Sequence, residues 1–191
     1  MSAPRAATPG LVVVDRDGVI NRDREDFVKT VDEWQPLPGS LEALALLTRA
    51  GFTIAVASNQ SGLGRGLFDL ETLEAIHEKM RVAVERAGGH IALIAYCPHR
   101  PDEDCSCRKP RPGLMVTIAD ELALSLSDAP CIGDSERDLV AARAVGGRPM
   151  LVLTGNGETT RTAMDDAVSI EIFPDLLAAA QVLAGEQQES C

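Results

Sequence analysis

Residues 11–21 read LVVVDRDGVIN, a four-residue apolar run followed by two aspartates. A run that is apolar at every position predicts a strand buried on both faces, as in parallel sheets that are covered by helices. In such sheets, ligands bind just beyond the carboxyl ends of the strands. The sequence therefore predicts that Asp15 and Asp17 lie in a functional site.

Further short apolar runs alternate with amphipathic segments of helical length along the chain. This alternation predicts an α/β fold: a Rossmann-like parallel sheet with helices on both faces, in three layers, without a separate cap domain. The predicted strands are 11–14, 53–57, 91–96, 130–132, 149–153 and, as a weak edge, 167–172. The predicted helices are 40–50, a segment that begins after an Asp69 cap, 114–123, 136–144 and 174–183.

No linker, repeat or low-complexity tract divides the sequence. We therefore expect a single domain over residues 1–191, with frayed ends at 1–10 and 185–191. Segments 21–38 and 97–112 lack regular periodicity, and loops of this length in a compact domain are usually functional.

The composition is 45% hydrophobic and 25% charged, which is close to average globular usage. No apolar run is long enough to span a bilayer and the first ten residues lack a secretion-signal pattern, so we expect a cytoplasmic protein with no membrane partner. The net charge of −11 disfavours nucleic-acid binding. Arg100, Arg108, Lys109 and Arg111 nevertheless form a basic stretch, which suits a small phosphorylated substrate. We expect a monomer.

Four potential metal ligands lie close together in the sequence. Cys97, His99, Cys105 and Cys107 form the pattern C-x-H-x5-C-x-C, and three thiolates with one imidazole are the ligand set of a closed, structural zinc site. Arg108 and Lys109 follow directly, so a bound Zn²⁺ is expected to order the loop that carries them.

The predicted strand ends carry the groups that phosphoryl transfer requires. Asp15 and Asp134 are expected to ligate Mg²⁺, and Asp15 to be the nucleophile that forms an aspartyl-phosphate. Asp17 is expected to be the general acid and base. The Ser58 hydroxyl and the Lys109 ammonium are expected to hold the phosphoryl oxygens.

These groups resemble the four motifs of the haloacid dehalogenase superfamily, in the same order. Within it, 58–62 (SNQSG), 97–99 (CPH) and 105–110 (CSCRKP) resemble the D-glycero-D-manno-heptose-1,7-bisphosphate phosphatases and the related histidinol-phosphate phosphatases. The resemblance covers roughly residues 11–183 and implies removal of the 7-phosphate of a heptose bisphosphate during lipopolysaccharide core synthesis. It also implies Mg²⁺ binding by Asp15, the Asp17 carbonyl and Asp134. Implied substrate contacts are Arg22, Asp23, Asn59, Gln60, Ser61, Arg108 and Lys109.

Three alternatives remain at this stage. Histidinol phosphate is a rival substrate. A signalling receiver domain also uses an aspartate as its phosphoacceptor. An inactive zinc-stabilised interaction module is the third. In receivers the acidic pair and the acceptor follow separate strands, whereas here both aspartates follow the first. The chain also departs from some family members at Ser135, where they carry a lysine, and the role of Trp34 stays open.

Overall fold

The sheet is built around β1 (Leu11–Val14), which pairs with a neighbouring strand on each side. The computed structural model describes residues 10–164 and 170–189. All strand pairs are parallel, in the order β3-β2-β1-β4-β5-β6. This is a doubly wound order, whose direction reverses between β1 and β4. The other strands are β2 (Thr53–Asn59), β3 (Ile91–Cys97), β4 (Pro130–Gly133), β5 (Arg148–Val152) and β6 (Glu171–Phe173).

Helices cover both faces of this sheet, as the alternating pattern predicted. Asp69 caps the third of them, where its side chain accepts a hydrogen bond from the Thr72 amide. The fold class is therefore confirmed. The helices are α1 (Ser40–Arg49), α2 (Ser61–Gly64), α3 (Leu70–Arg86), α4 (Gly113–Leu122), α5 (Glu136–Ala144), α6 (Gly157–Ala163) and α7 (Leu176–Glu189).

Alternate residues of β1 enter two separate hydrophobic cores. Val12 and Val14 pack in the core that α1, α3 and α7 cover, whereas Leu11 and Val13 pack in the core beneath α4 and α5. All four side chains are buried, as expected for a strand with both faces covered. Both cores meet at β1, which fixes the position of the aspartates that follow it.

The last helix extends beyond the predicted segment 174–183. Helix α7 continues to Glu189, and Glu186 forms an ion pair of 2.7 Å with Arg148 on β5. Leu183 and Ala184 are buried, which anchors the last turns. The predicted edge strand is shorter than expected and begins at Glu171, while 167–169, 1–9 and 190–191 lie outside the described residues.

Segment 15–39 links β1 to α1 without a further helix or strand of its own. Its isolated bridges join Asp17 to Asn21 and Asn21 to Pro36. Trp34 anchors it, since this side chain is 2% exposed and belongs to the larger core. None of the helices in the described ranges is both long and apolar enough to cross a bilayer.

Candidate active site

Asp15 lies at the carboxyl end of β1, at the point where the strand order reverses. Its carboxylate is 2.9 Å from the Lys109 ammonium, which also lies 2.6 Å from Asp138 and donates to the Ala57 carbonyl. Burial raises the pKa of Asp15 to about 7, against the lowering effect of Lys109. Burial opposes the charge of Lys109 too, but the carboxylates of Asp138 and Asp15 outweigh it and raise its pKa.

Asp134 follows β4 and faces Asp15 across the switch point. Its Oδ2 accepts hydrogen bonds from the Asn156 backbone amide (2.8 Å) and side chain (3.1 Å). Gly18, at φ 82°, lies so close that a Cβ there would overlap Asp134 Oδ2. Burial raises the pKa of Asp134 to about 6. The loops that follow β1 and β5 thus contact this carboxylate from two sides.

The three buried carboxylates fit a divalent cation. Oxygens of Asp15, Asp134 and Asp138 all lie within 4.8 Å of one another, and Asp134 Oδ1 is buried without a hydrogen-bond partner. A buried carboxylate oxygen without a donor is costly unless a cation binds it. Hard carboxylate oxygens at this spacing are the ligands that Mg²⁺ prefers.

Asp17 points into the cleft above this cluster, with 21% of its side chain exposed. The Arg16 guanidinium binds both of its oxygens, at 2.9 to 3.2 Å, and Asn21 and Gln60 each donate at 2.8 Å. Burial tends to raise the pKa of Asp17, but these donors, Arg16 foremost, hold it below its ordinary value.

The residues that follow β2 are largely turned inward. Ser58 is 1% exposed, and its Oγ accepts a hydrogen bond of 2.7 Å from Gln60. The Asn59 side-chain amide donates to the Lys109 carbonyl at 3.0 Å and accepts from the Lys109 backbone N–H at 3.1 Å. These two bonds connect the loop after β3 to the end of β2. Ser61 begins α2 and lines the cleft.

A cleft of about 280 Å³ opens above these groups. Of the implied substrate contacts, Asp23, Asn59, Gln60, Ser61 and Arg108 line this cleft, whereas Arg22 is exposed outside this lining. Arg65 and Arg137 also reach the cleft, although the sequence did not single them out. In the described part of the chain, neither these two arginines nor Arg108 forms an ion pair with a carboxylate.

The four predicted zinc ligands come together beside β3. The Sγ atoms of Cys97, Cys105 and Cys107 lie 3.2 to 3.6 Å from one another, and His99 Nδ1 lies 3.6 Å from Cys97 Sγ and 3.2 Å from Cys107 Sγ. A tetrahedral site with metal–sulfur bonds of about 2.3 Å has sulfur–sulfur edges of roughly 3.8 Å. The donor set and its spacing therefore fit a tetrahedral metal.

Sequence reasoning missed several residues of this site. Asp138 belongs to the same motif as Asp134, but no role was predicted for it; it closes a capping box with Ser135 on the first turn of α5. Asn156 follows β5, and no functional residue was predicted after that strand. His77, which was not predicted as a site residue, is 1% exposed and lies 3.5 Å from Arg16.

Two family models match the chain. The model of polynucleotide kinase 3 phosphatase matches residues 11–136, and the HAD-hydrolase-like model matches residues 106–179. Together they span the strand ends that carry Asp15, Ser58, Lys109 and Asp134.

Curated relatives match over nearly their full length. The D-glycero-beta-D-manno-heptose-1,7-bisphosphate 7-phosphatases of Pseudomonas putida and Pseudomonas aeruginosa are 49% and 50% identical over 173 residues. These matches cover 91% of this chain and 98% and 97% of the relatives.

A solved structure shows the same fold at high similarity. The D,D-heptose 1,7-bisphosphate phosphatase of Bordetella bronchiseptica, complexed with magnesium and phosphate, superposes with a TM-score of 0.89 and 48% identity. The match covers 93% of this chain and 99% of that one. Fold, strand-end residues and relatives agree: the chain belongs to the haloacid dehalogenase-like hydrolases, in the family of the D-glycero-D-manno-heptose-1,7-bisphosphate 7-phosphatases.

Proposed function

We propose that this protein is a Mg²⁺-dependent phosphatase that removes the 7-phosphate from D-glycero-β-D-manno-heptose 1,7-bisphosphate through an aspartyl-phosphate. The observation that carries the proposal is the convergence of Asp15, Ser58, Lys109 and Asp134 at one edge of the sheet. Relatives of about 50% identity that are named for this reaction support the substrate. The product belongs to the synthesis of the lipopolysaccharide core heptose.

In the first half-reaction a carboxylate oxygen of Asp15 attacks phosphorus and the ester P–O bond breaks. Asp17 gives its proton to the leaving sugar oxygen. Lys109 and Ser58 hold phosphoryl oxygens while charge shifts to the leaving group. In the second half-reaction Asp17 takes a proton from water, which attacks phosphorus and returns Asp15 as a free carboxylate.

Asp15, the Asp17 backbone carbonyl and Asp134 are the residues that would hold Mg²⁺. When bound, Mg²⁺ neutralises the repulsion between an anionic nucleophile and an anionic phosphate. Asp138 belongs to the same carboxylate cluster, but it forms a 2.6 Å ion pair with Lys109. This ion pair holds the ammonium beside Asp15 and keeps Lys109 charged in a buried site.

The Cys97, His99, Cys105 and Cys107 cluster is proposed to hold a structural Zn²⁺. Four protein ligands close the tetrahedron and leave no position for substrate. The cluster ends directly before Arg108 and Lys109. Their positions depend on this loop and on the hydrogen bonds between Asn59 and the Lys109 backbone.

The rim arginines favour a substrate with a second anionic group. Arg65, Arg108 and Arg137 line the cleft, and Arg108 has a pKa lowered by burial and by the charges of Arg137 and Arg65. Cations that repel one another across a cleft provide a site for an anion. A bisphosphate supplies that anion once its 7-phosphate occupies the Asp15 centre.

We further propose that the protein acts in the cytoplasm as a single-domain monomer, without nucleic-acid or membrane partners. The net charge of −11 supports the absence of nucleic-acid partners, because it opposes binding to polyanions.

Phosphate release from a substrate panel tests the function. The panel holds both heptose 1,7-bisphosphate anomers, histidinol phosphate, fructose 1,6-bisphosphate and a 3′-phosphorylated oligonucleotide, with Asp15→Asn as the control. We expect the β-anomer to give the highest kcat/KM, and the Asp15→Asn control to be inactive on every substrate. A preference for histidinol phosphate would refute the substrate, and activity of the control would refute the mechanism.

A further inference from the structure

Gln60 is a buried hub between two catalytic groups. Its side-chain amide nitrogen donates to Asp17 Oδ2 at 2.8 Å and to Ser58 Oγ at 2.7 Å. Its carbonyl oxygen accepts from Arg16 at 3.0 Å, and only 3% of the residue is exposed. All the hydrogen bonds that the Gln60 amide forms are thus made within the protein, so the amide has little capacity left to bind a sugar.

Arg16 holds the same carboxylate from the other side. Its Nε and one terminal nitrogen each lie within 3.2 Å of both Asp17 oxygens, and the residue is 1% exposed. A planar fork of this kind fixes the orientation of a carboxylate as well as its position.

His77 supports Arg16 from α3. Its Nε2 lies 3.5 Å from the other terminal nitrogen of Arg16, and its ring packs against Tyr96 with centroids 5.5 Å apart. Arg16 is therefore held at both ends of its guanidinium, by Asp17 and Gln60 on the cleft side and by His77 on the core side.

We propose that Gln60 and Arg16 are positioning residues, which hold the Asp17 carboxyl in line with the leaving oxygen of the substrate, and that Gln60 is not a contact of the sugar. The inference rests on the proposed phosphatase mechanism. Asp15 forms a bond to phosphorus, the bond from phosphorus to the ester oxygen breaks, and the Asp17 proton moves to that oxygen to release a neutral alcohol. Misplacing Asp17 by a fraction of an ångström therefore slows this proton transfer selectively.

Leaving-group dependence separates this role from others. An alkoxide leaving group needs the Asp17 proton, whereas p-nitrophenolate leaves without one. Benzyl phosphate and p-nitrophenyl phosphate are similar in size and contain no sugar. The value of kcat/KM reports on steps up to alcohol release, so it excludes the hydrolysis of the aspartyl-phosphate that both substrates share.

The test variant is Gln60→Met, which keeps an unbranched side chain of similar length but cannot hydrogen bond to Asp17. We expect the ratio of kcat/KM for benzyl phosphate to that for p-nitrophenyl phosphate to fall by about 10-fold or more, within the roughly 10²- to 10⁴-fold that a general acid supplies. Arg16→Lys, which keeps the charge but loses the fork, should lower the ratio in the same direction.

A double-mutant cycle assigns the effect to Asp17. In an Asp17→Asn background, Gln60→Met should leave the substrate ratio unchanged within about 2-fold, because the proton it helps to place is gone. Thermal unfolding and orthophosphate binding show whether each variant is folded. If Gln60→Met does not fold, Gln60→Asn, whose amide is one methylene shorter, takes its place in the cycle.

Two results would overturn the inference. An equal loss of kcat/KM for benzyl phosphate and p-nitrophenyl phosphate would mean that Gln60 acts through Ser58 or only stabilises the fold. An effect confined to KM for the heptose substrate would mean that Gln60 contacts the sugar. Failure of the proposed function looks different, because wild-type protein would then hydrolyse none of these esters in an Asp15-dependent manner.

Discussion

At the residue scale, Asp15 and Asp17 lie two positions apart and have opposite pKa shifts. Burial raises the pKa of Asp15 to about 7, while Arg16 and two further donors overcome burial at Asp17 and lower its pKa. Environments that separate the pKa values of two carboxyl groups also separate their roles. Asp15 is the group that a cation must keep ionised for attack. Asp17 is held ready to accept the proton of water in the second half-reaction.

Mg²⁺ binding should release protons below about pH 7. The folded-state pKa values of Asp15 and Asp134, about 7 and about 6, lie above the ordinary value of 3.8. The protonated forms therefore stabilise the metal-free protein at low pH, and this contribution is lost as the pH rises through 6 to 7. Mg²⁺ requires the ionised forms, so its apparent affinity should rise with pH and level off near pH 8.

Titration calorimetry in two buffers of different ionisation enthalpy measures this release. Protons should be released at pH 5.5 and almost none at pH 8. Asp134→Asn is the control and should lose most of the binding heat. Equal proton release at both pH values would contradict the assignment of Asp15 and Asp134 as ligands.

Arg65→Gln should weaken recognition of the second phosphate. We expect KM for the heptose bisphosphate to rise about 10-fold, equivalent to about 1.4 kcal/mol, with little change for heptose 7-phosphate. Arg161→Gln is the matched control, because Arg161 is exposed on α6 and pairs with Glu158. A similar rise for both substrates would place Arg65 at the 7-phosphate instead.

At the element scale, the loop after β3 is fixed at both of its ends. The Cys/His cluster closes its beginning, and Asn59 binds the Lys109 backbone. Between them the 3-10 helix Pro101–Glu103 forms a capping box with Arg100. One short 3-10 helix is the regular structure described in this loop, so the proposed metal and Asn59 help to hold Lys109 near Asp15.

Cys107→Ser should release the zinc and destabilise the protein. A missing thiolate opens the tetrahedron and frees the loop that carries Lys109. We expect less than one zinc per chain by metal analysis, a lower Tm and reduced kcat on every substrate. Ser106→Ala in the same exposed loop is the control. Full activity in a zinc-free Cys107→Ser protein would show that the loop needs no metal.

Helix α7 offers a separate test of the core. Leu183→Ala removes a side chain that is 1% exposed, so the free energy of unfolding should fall by about 2 to 5 kcal/mol. Val182→Ala, next to it and 42% exposed, should change the free energy by no more than about 0.5 kcal/mol. Urea unfolding measures both. Equal effects would mean that α7 does not pack as described.

At the scale of the whole molecule, the switch point between β1 and β4 collects groups from all parts of the chain. The Asp15 amide donates to the Ile132 carbonyl at 2.9 Å, which sets the two strand ends side by side. Asp134 and Asp138 arrive with β4 and α5, and Lys109 arrives from the loop after β3. Ligand binding at this point should therefore stabilise the entire domain.

Mg²⁺ with orthophosphate should raise the Tm of the full chain. At a hundred times its Kd, a ligand of the folded state adds about 2.7 kcal/mol, which is roughly 5 to 10 °C for a domain of this size. Differential scanning calorimetry measures the shift. Asp134→Asn should lose most of it, and an equal shift in that variant would place the ligand elsewhere.

Local pattern was sufficient for much of this fold. The apolar run of β1, the apolar stripe of α3 and the Asp69 cap depend on near neighbours in the chain, and they appear where the pattern predicts. The end of α7 was missed because Arg148, whose ion pair helps to hold it, lies 38 residues away.

The sequence by itself determined the strand-end aspartates, the serine and lysine, and the four clustered metal ligands, since their type and order are visible without coordinates. Only the tertiary structure decided which of these groups touch. It turned Gln60 inward, buried His77 against Arg16, shared Lys109 between Asp15 and Asp138, and placed Thr154 on the Gly18 carbonyl across 136 residues of chain. The physical reason is that periodicity encodes which face a residue takes, whereas hydrogen-bond partners are chosen by packing between distant segments.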